Sequence, residues 1–149
     1  MASFPLSRPL LLALGCSLAA QLTKFLVTLI GEGRVNFKRF VELGGMPSSH
    51  SASVAALSTG VALEVGVQSP LFGVTCFYSL MTMYDAAGIR RSAGKQAEVL
   101  NRIVDDLKVT HRVREERLLE LLGHTPFEVL VGATFGVLGG LIGGHWLNL

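Results

Sequence analysis

Two histidines, His50 and His124, stand at the polar edges of apolar runs in this 149-residue chain, each framed by residues that open helices. Residues 44–51 read GGMPSSHS. Proline fixes the chain entering a helix, Ser48 and Ser49 can cap it, and the N–H groups of the first turn together with the helix dipole favour an anion such as phosphate. His50, in that turn, can give a proton to a leaving oxygen. The bland account is an N-cap serine beside an interfacial histidine. Residues 123–128 read GHTPFE, where Thr125 and Glu128 match a capping box with proline at the first helical position. A capping box accounts for Glu128 but leaves His124 unexplained. A histidine held by a carboxylate is a nucleophile, because the partner fixes its tautomer and stabilises the charge that develops. Spacing alone leaves Glu128 as either cap or orienter.

A third segment, residues 84–96 (YDAAGIRRSAGKQ), brings Arg90, Arg91 and Lys95 close behind Asp85. Guanidinium forks match phosphate oxygens, and they serve equally as anchors to anionic lipid heads. Asp85 ends an apolar stretch, where a carboxylate needs a cationic partner.

These residues need elements to hold them, and composition says which. Half the residues are hydrophobic, 16% are charged and mean hydropathy is +0.49. Soluble domains carry about 25% charged residues, so a soluble, highly charged or disordered chain is excluded. Residues 9–30 form a run of 22 with one charge, Lys24, and at about 1.5 Å per residue it spans about 33 Å, a bilayer core. Arg8, the apolar run and Ser17-Leu18-Ala19 also resemble a signal peptide, but the run continues past that point and reads as a span. Further spans are expected over 49–67, 71–89 and 125–146.

The predicted fold is all-α: one domain over 1–149, an integral membrane helical bundle of about four spans plus a cytoplasmic amphipathic segment over 90–123. In that segment Leu100, Ile103, Val104 and Leu107 recur at helical spacing, Glu98 and Arg102 form an i,i+4 pair, and a second helix over 113–122 ends at Gly123. The pair lies along the membrane surface or caps the bundle. Gly136 and Gly140, and Gly139 and Gly143, are spaced for close helix contact. Cys16 and Cys76 fall in apolar runs and read as packing residues.

Charge sets the orientation. With alternating spans, the connection over 31–49 and the segment over 90–123 share one side and hold eleven of the thirteen Lys and Arg residues. That side faces the cytoplasm by the positive-inside tendency. Lys24, Ser48, Ser49, His50, Asp85, Arg90, Arg91, His124 and Glu128 then gather at that face. A net charge of +2 gives no argument for nucleic acid. No HExxH, CxxC or Asp-rich motif points to a metal, so no metal or other cofactor is expected.

The blocks GGMPSSHSA, YDAAGIRRSAGKQAEVLN and LLGHTPFEVLVGA together strongly resemble the divergent branch of the type 2 phosphatidic acid phosphatases, which are related to vanadium-dependent haloperoxidases. The likeness covers roughly residues 21–140. It implies a metal-independent, acid phosphatase-like lipid phosphatase in which His124 attacks phosphorus, Glu128 supports it and His50 protonates the leaving group. Ser48, Ser49, Lys24, Arg39, Arg90 and Arg91 would hold the phosphate of a phospholipid or prenyl phosphate. The chain departs from the wider superfamily's pattern in four ways. Ser49 replaces a glycine, Glu128 replaces an aspartate, Leu118 occupies the place of an arginine with Arg117 one residue back, and the first lysine motif has no match among Lys24, Arg34, Lys38 and Arg39. Fewer spans than in six-span members point to a homodimer completing the site. The alternative function is a non-catalytic membrane protein that binds anionic lipid or supports assembly. Two positioned imidazoles separate the readings, since binding needs charge alone.

Overall fold

A computed structural model describes residues 6–32, 46–108 and 124–149. Five helices follow in order: α1 (Arg8–Glu32), α2 (Ser49–Val65), α3 (Pro70–Ala87), α4 (Ile89–Lys108) and α5 (Pro126–Trp146), with no strand among the described residues. Local chemistry sets their limits. Ser48 caps α2, and Ser69 caps α3 by accepting from the Phe72 N–H at 3.1 Å, with Pro70 in the first turn. Gly66, at φ +86°, ends α2 in a conformation that glycine adopts without penalty. Only Gly88 separates α3 from α4.

The four predicted spans are all helical, but they differ in character. Arg8–Ile30 and Pro126–Trp146 are long and apolar enough to cross a membrane. Neither α2, with 17 residues, nor α3, with 18, joins them in that class. α2 falls short by length, and it is the central helix, lying against α1, α3 and α5. Its buried side is made of Ser49, Ser51, Ala52, Ala55, Ala56, Ser58 and Gly60 among others. Bulky side chains point outward instead, with Leu18, Phe77, Tyr84, Leu130 and Trp146 all exposed. Small and hydroxyl residues inside with large apolar residues outside is the arrangement expected where the surrounding solvent is lipid.

Close approach comes from a glycine ladder on α5. Gly132, Gly136, Gly140 and Gly144 are buried along one face, and a Cβ on Gly136 would collide with the Ala52 carbonyl of α2. Gly139 and Gly143 look the other way, toward Cys16 and Leu12 of α1. The two glycine pairs read from the sequence therefore serve different helices. Cys16 is buried in that contact, and Cys76 is half-buried; both are free thiols. On the α3 side, Ser79 Oγ lies 2.8 Å from Ser58 Oγ and 2.8 Å from the Val54 carbonyl oxygen. α3 touches α5 little, and a cavity of about 340 Å³ lies between α2, α3 and α5, lined by residues including Ala55, Cys76, Met83 and Val137.

At one end of the bundle Arg8 ties three helices together. Its guanidinium lies 3.2 Å from the Glu64 carboxylate and donates to the Asn148 carbonyl at 3.0 Å. α4 carries the expected Glu98–Arg102 pair. It is amphipathic, as its spacing implies: Gly94, Ala97 and Asn101 are buried, while Leu100 and Ile103 are about half exposed. The second helix expected over 113–122 lies outside the described residues.

Candidate active site

The site is built where α2 and α5 begin, α3 ends and α1 passes. Ser48, wholly buried, is the N-cap of α2: its Oγ accepts from the Ser51 N–H at 3.4 Å and the Ser51 hydroxyl at 3.1 Å. Gly132 allows α5 onto this turn, since a Cβ there would lie 2.5 Å from the Ser48 carbonyl oxygen. Ser49 is also buried. Both expected phosphate-binding serines are thus buried, Ser48 beneath α5 and with its hydroxyl committed to its cap. What this turn offers an anion is backbone N–H groups and dipole.

His124 precedes α5 and is 2% exposed. Its backbone N–H donates to the Ala86 carbonyl at 3.1 Å, tying the start of α5 to the last turn of α3. Its Nδ1 lies 3.5 Å from Glu128 Oε2, close enough for a charge interaction but without hydrogen-bond geometry. The same oxygen accepts the Thr125 N–H at 2.8 Å, and Thr125 Oγ1 accepts the Glu128 N–H at 3.2 Å, completing a capping box. Glu128 is therefore cap and partner at once.

The His50 and His124 rings lie 6.3 Å apart at 57°. Lys24, in the C-terminal half of α1, is 5% exposed and acts electrostatically on His124. Burial pushes the His124 imidazole below its usual value of 6.5; the Glu128 charge opposes this, while the charges of Lys24 and His50 reinforce it. Neutral imidazole is the form a nucleophile requires.

Four of the residues singled out from the sequence, Lys24, His50, His124 and Glu128, thus come together from three helices. Asp85 is half-buried on the last turn of α3, beside Ala86. Arg90 and Arg91 belong to the first turn of α4, just past Gly88, and their side-chain placement lies outside the described residues. Arg39 lies outside them altogether, as do Arg34, Lys38, Arg117 and Leu118. Among the described residues no group of three or more His, Cys, Asp and Glu side chains gathers as a metal site needs. Sequence reasoning missed two positions, Gly132 and Ala86. Gly132 had a signal in its four-residue spacing from Gly136; the Ala86 carbonyl had none.

Helices with lipid-type packing and ionisable groups at shared helix ends define an all-α membrane protein with a polar site. The chain matches the divergent PAP2 family over residues 6–139. It is also 43% identical over 141 residues, 87% of this chain and 89% of the relative, to the uncharacterized membrane protein YuiD of Bacillus subtilis (strain 168). No solved structure matches it significantly. The chain belongs to the divergent PAP2 family.

Proposed function

We propose that the protein is a membrane lipid phosphatase acting on a phosphomonoester or diphosphate head group through a phosphohistidine. The observation that carries this reading is the pair of imidazoles 6.3 Å apart, one facing a carboxylate. Because Nδ1 of His124 faces Glu128, Nε2 is the attacking atom. It forms the N–P bond as the P–O bond to the leaving group breaks, and Glu128 offsets the positive charge on the phosphorylated ring. His50 gives the departing oxygen its proton. Neutral His50 then takes a proton from water, whose oxygen attacks phosphorus, and phosphate leaves as the N–P bond breaks. Lys24 and the first turn of α2 neutralise the non-bridging oxygens.

The reading includes a multi-pass protein whose site faces the cytoplasm, with a reporter fused at Lys108 remaining cytoplasmic, and a homodimer as the active unit. It is tested by phosphate release from a panel of phospholipid and prenyl phosphates, with EDTA present, by purified protein against His124→Ala. Loss of turnover and of a phosphoenzyme in the variant is expected. Full turnover by His124→Ala refutes the reading and leaves binding of anionic lipid in its place.

A further inference from the structure

Glu128 Oε2 is shared: the Thr125 N–H reaches it at 2.8 Å and His124 Nδ1 faces it at 3.5 Å. The main chain of His124 is anchored separately, by its N–H bond to the Ala86 carbonyl. The His124 main chain thus has an anchor of its own, whereas the carboxylate depends on the cap. Thr125 holds Glu128 at both ends, its N–H taking the carboxylate and its Oγ1 taking the Glu128 backbone N–H at 3.2 Å. A glutamate without such partners samples several rotamers. Its carboxylate would then be shared with solvent, since the Glu128 side chain is 21% exposed.

We infer that Thr125 is a positioning residue, using the capping box of α5 to aim the Glu128 carboxylate at His124. This adds to the phosphatase reading, but the coupling of cap to imidazole stands or falls without turnover. Among the described residues, the charged and titratable groups around His124 are Lys24 on α1, His50 on α2, Asp85 beside Ala86 on α3, and Glu128 on α5. Of those acting on the imidazole, Glu128 supplies the influences that raise its proton affinity. Loosening the cap weakens that support and leaves the opposing groups in place.

The test uses the full chain in phospholipid nanodiscs with isotope-labelled histidine, the His124 signal being identified by its loss in His124→Gln. Three substitutions grade the cap. Thr125→Ser keeps both partners, Thr125→Val removes the hydroxyl, and Thr125→Pro also removes the N–H at a residue whose φ of −70° and ψ of 153° suit proline. The expected result is an unchanged His124 titration midpoint for Ser. Val should shift the midpoint downward, and Pro further, toward the midpoint of Glu128→Gln. Should Pro fail to fold, the contrast between Ser and Val still decides. Lower thermal stability in Val and Pro with the His124 midpoint unmoved would overturn the inference and reduce Thr125 to a helix cap. A graded titration in a protein that releases no phosphate would sink the phosphatase reading while sustaining this one.

Discussion

Replacing Glu128 by glutamine removes a charge while leaving an oxygen of nearly the same size in place. The amide oxygen can still accept the Thr125 N–H, now 2.8 Å from Oε2, so the capping geometry survives. The structural cost is the loss of a negative charge at a helix N-terminus, about 0.3–1 kcal/mol. The cost to catalysis is larger. Opposite charges about 4 Å apart interact by about 4 kcal/mol at an effective dielectric constant of 20, and Nδ1 and Oε2 lie 3.5 Å apart. Because Glu128 is partly exposed, about half of that is taken as retained; about 2 kcal/mol corresponds to a roughly 30-fold slower formation of the phosphohistidine. Single-turnover measurement of phosphoenzyme formation, paired with a thermal melt, reads both quantities. A fall of several degrees in Tm with an unchanged rate would refute the reasoning and assign Glu128 to the cap alone.

Gly136→Ala places a methyl group against the Ala52 carbonyl, a backbone atom that cannot rotate away. Overpacking of this kind costs about 1–3 kcal/mol, so Tm should fall, whereas Gly73→Ala, which meets nothing within 4 Å, should lack this clash. Depression of the His124 proton affinity means that below the ordinary value of 6.5 the unfolded chain binds the proton more readily than the folded one. Stability from this group is therefore complete above about pH 6.5 and declines as pH falls toward the folded-state value. Melts across pH 4–8 should show that acid limb shrinking in His124→Gln. His50→Ala should slow phosphoenzyme formation in a single turnover about 10²–10⁴-fold on an alkyl phosphate and much less on an aryl phosphate, whose leaving group needs no proton; equal losses of that step on both would remove His50 as the acid.

Where helices start and which residues open them was legible because those choices are local. Ser48 as N-cap, Pro126 in a first turn, the Thr125–Glu128 box and the Glu98–Arg102 pair each depend on neighbours within four residues, and sequence spacing carries that information directly. The two histidines were also legible, since each stands at such an opening. Tertiary structure decided everything that depends on how helices meet. The sequence offers glycines at 132, 136, 139, 140, 143 and 144 without saying which helix each one admits. Only the packed bundle turns 132, 136 and 140 toward α2, and 139 and 143 toward α1. That difference brings α5 onto the first turn of α2 and sets the distance between His50 and His124. Likewise, the stripe at Leu100 and Ile103 marks an apolar face without saying what meets it, and only the packed bundle buries Gly94, Ala97 and Asn101 and leaves the stripe half exposed. The bond from His124 to Ala86 joins residues 38 positions apart through main-chain atoms alone, and main-chain atoms carry no mark of identity in a sequence.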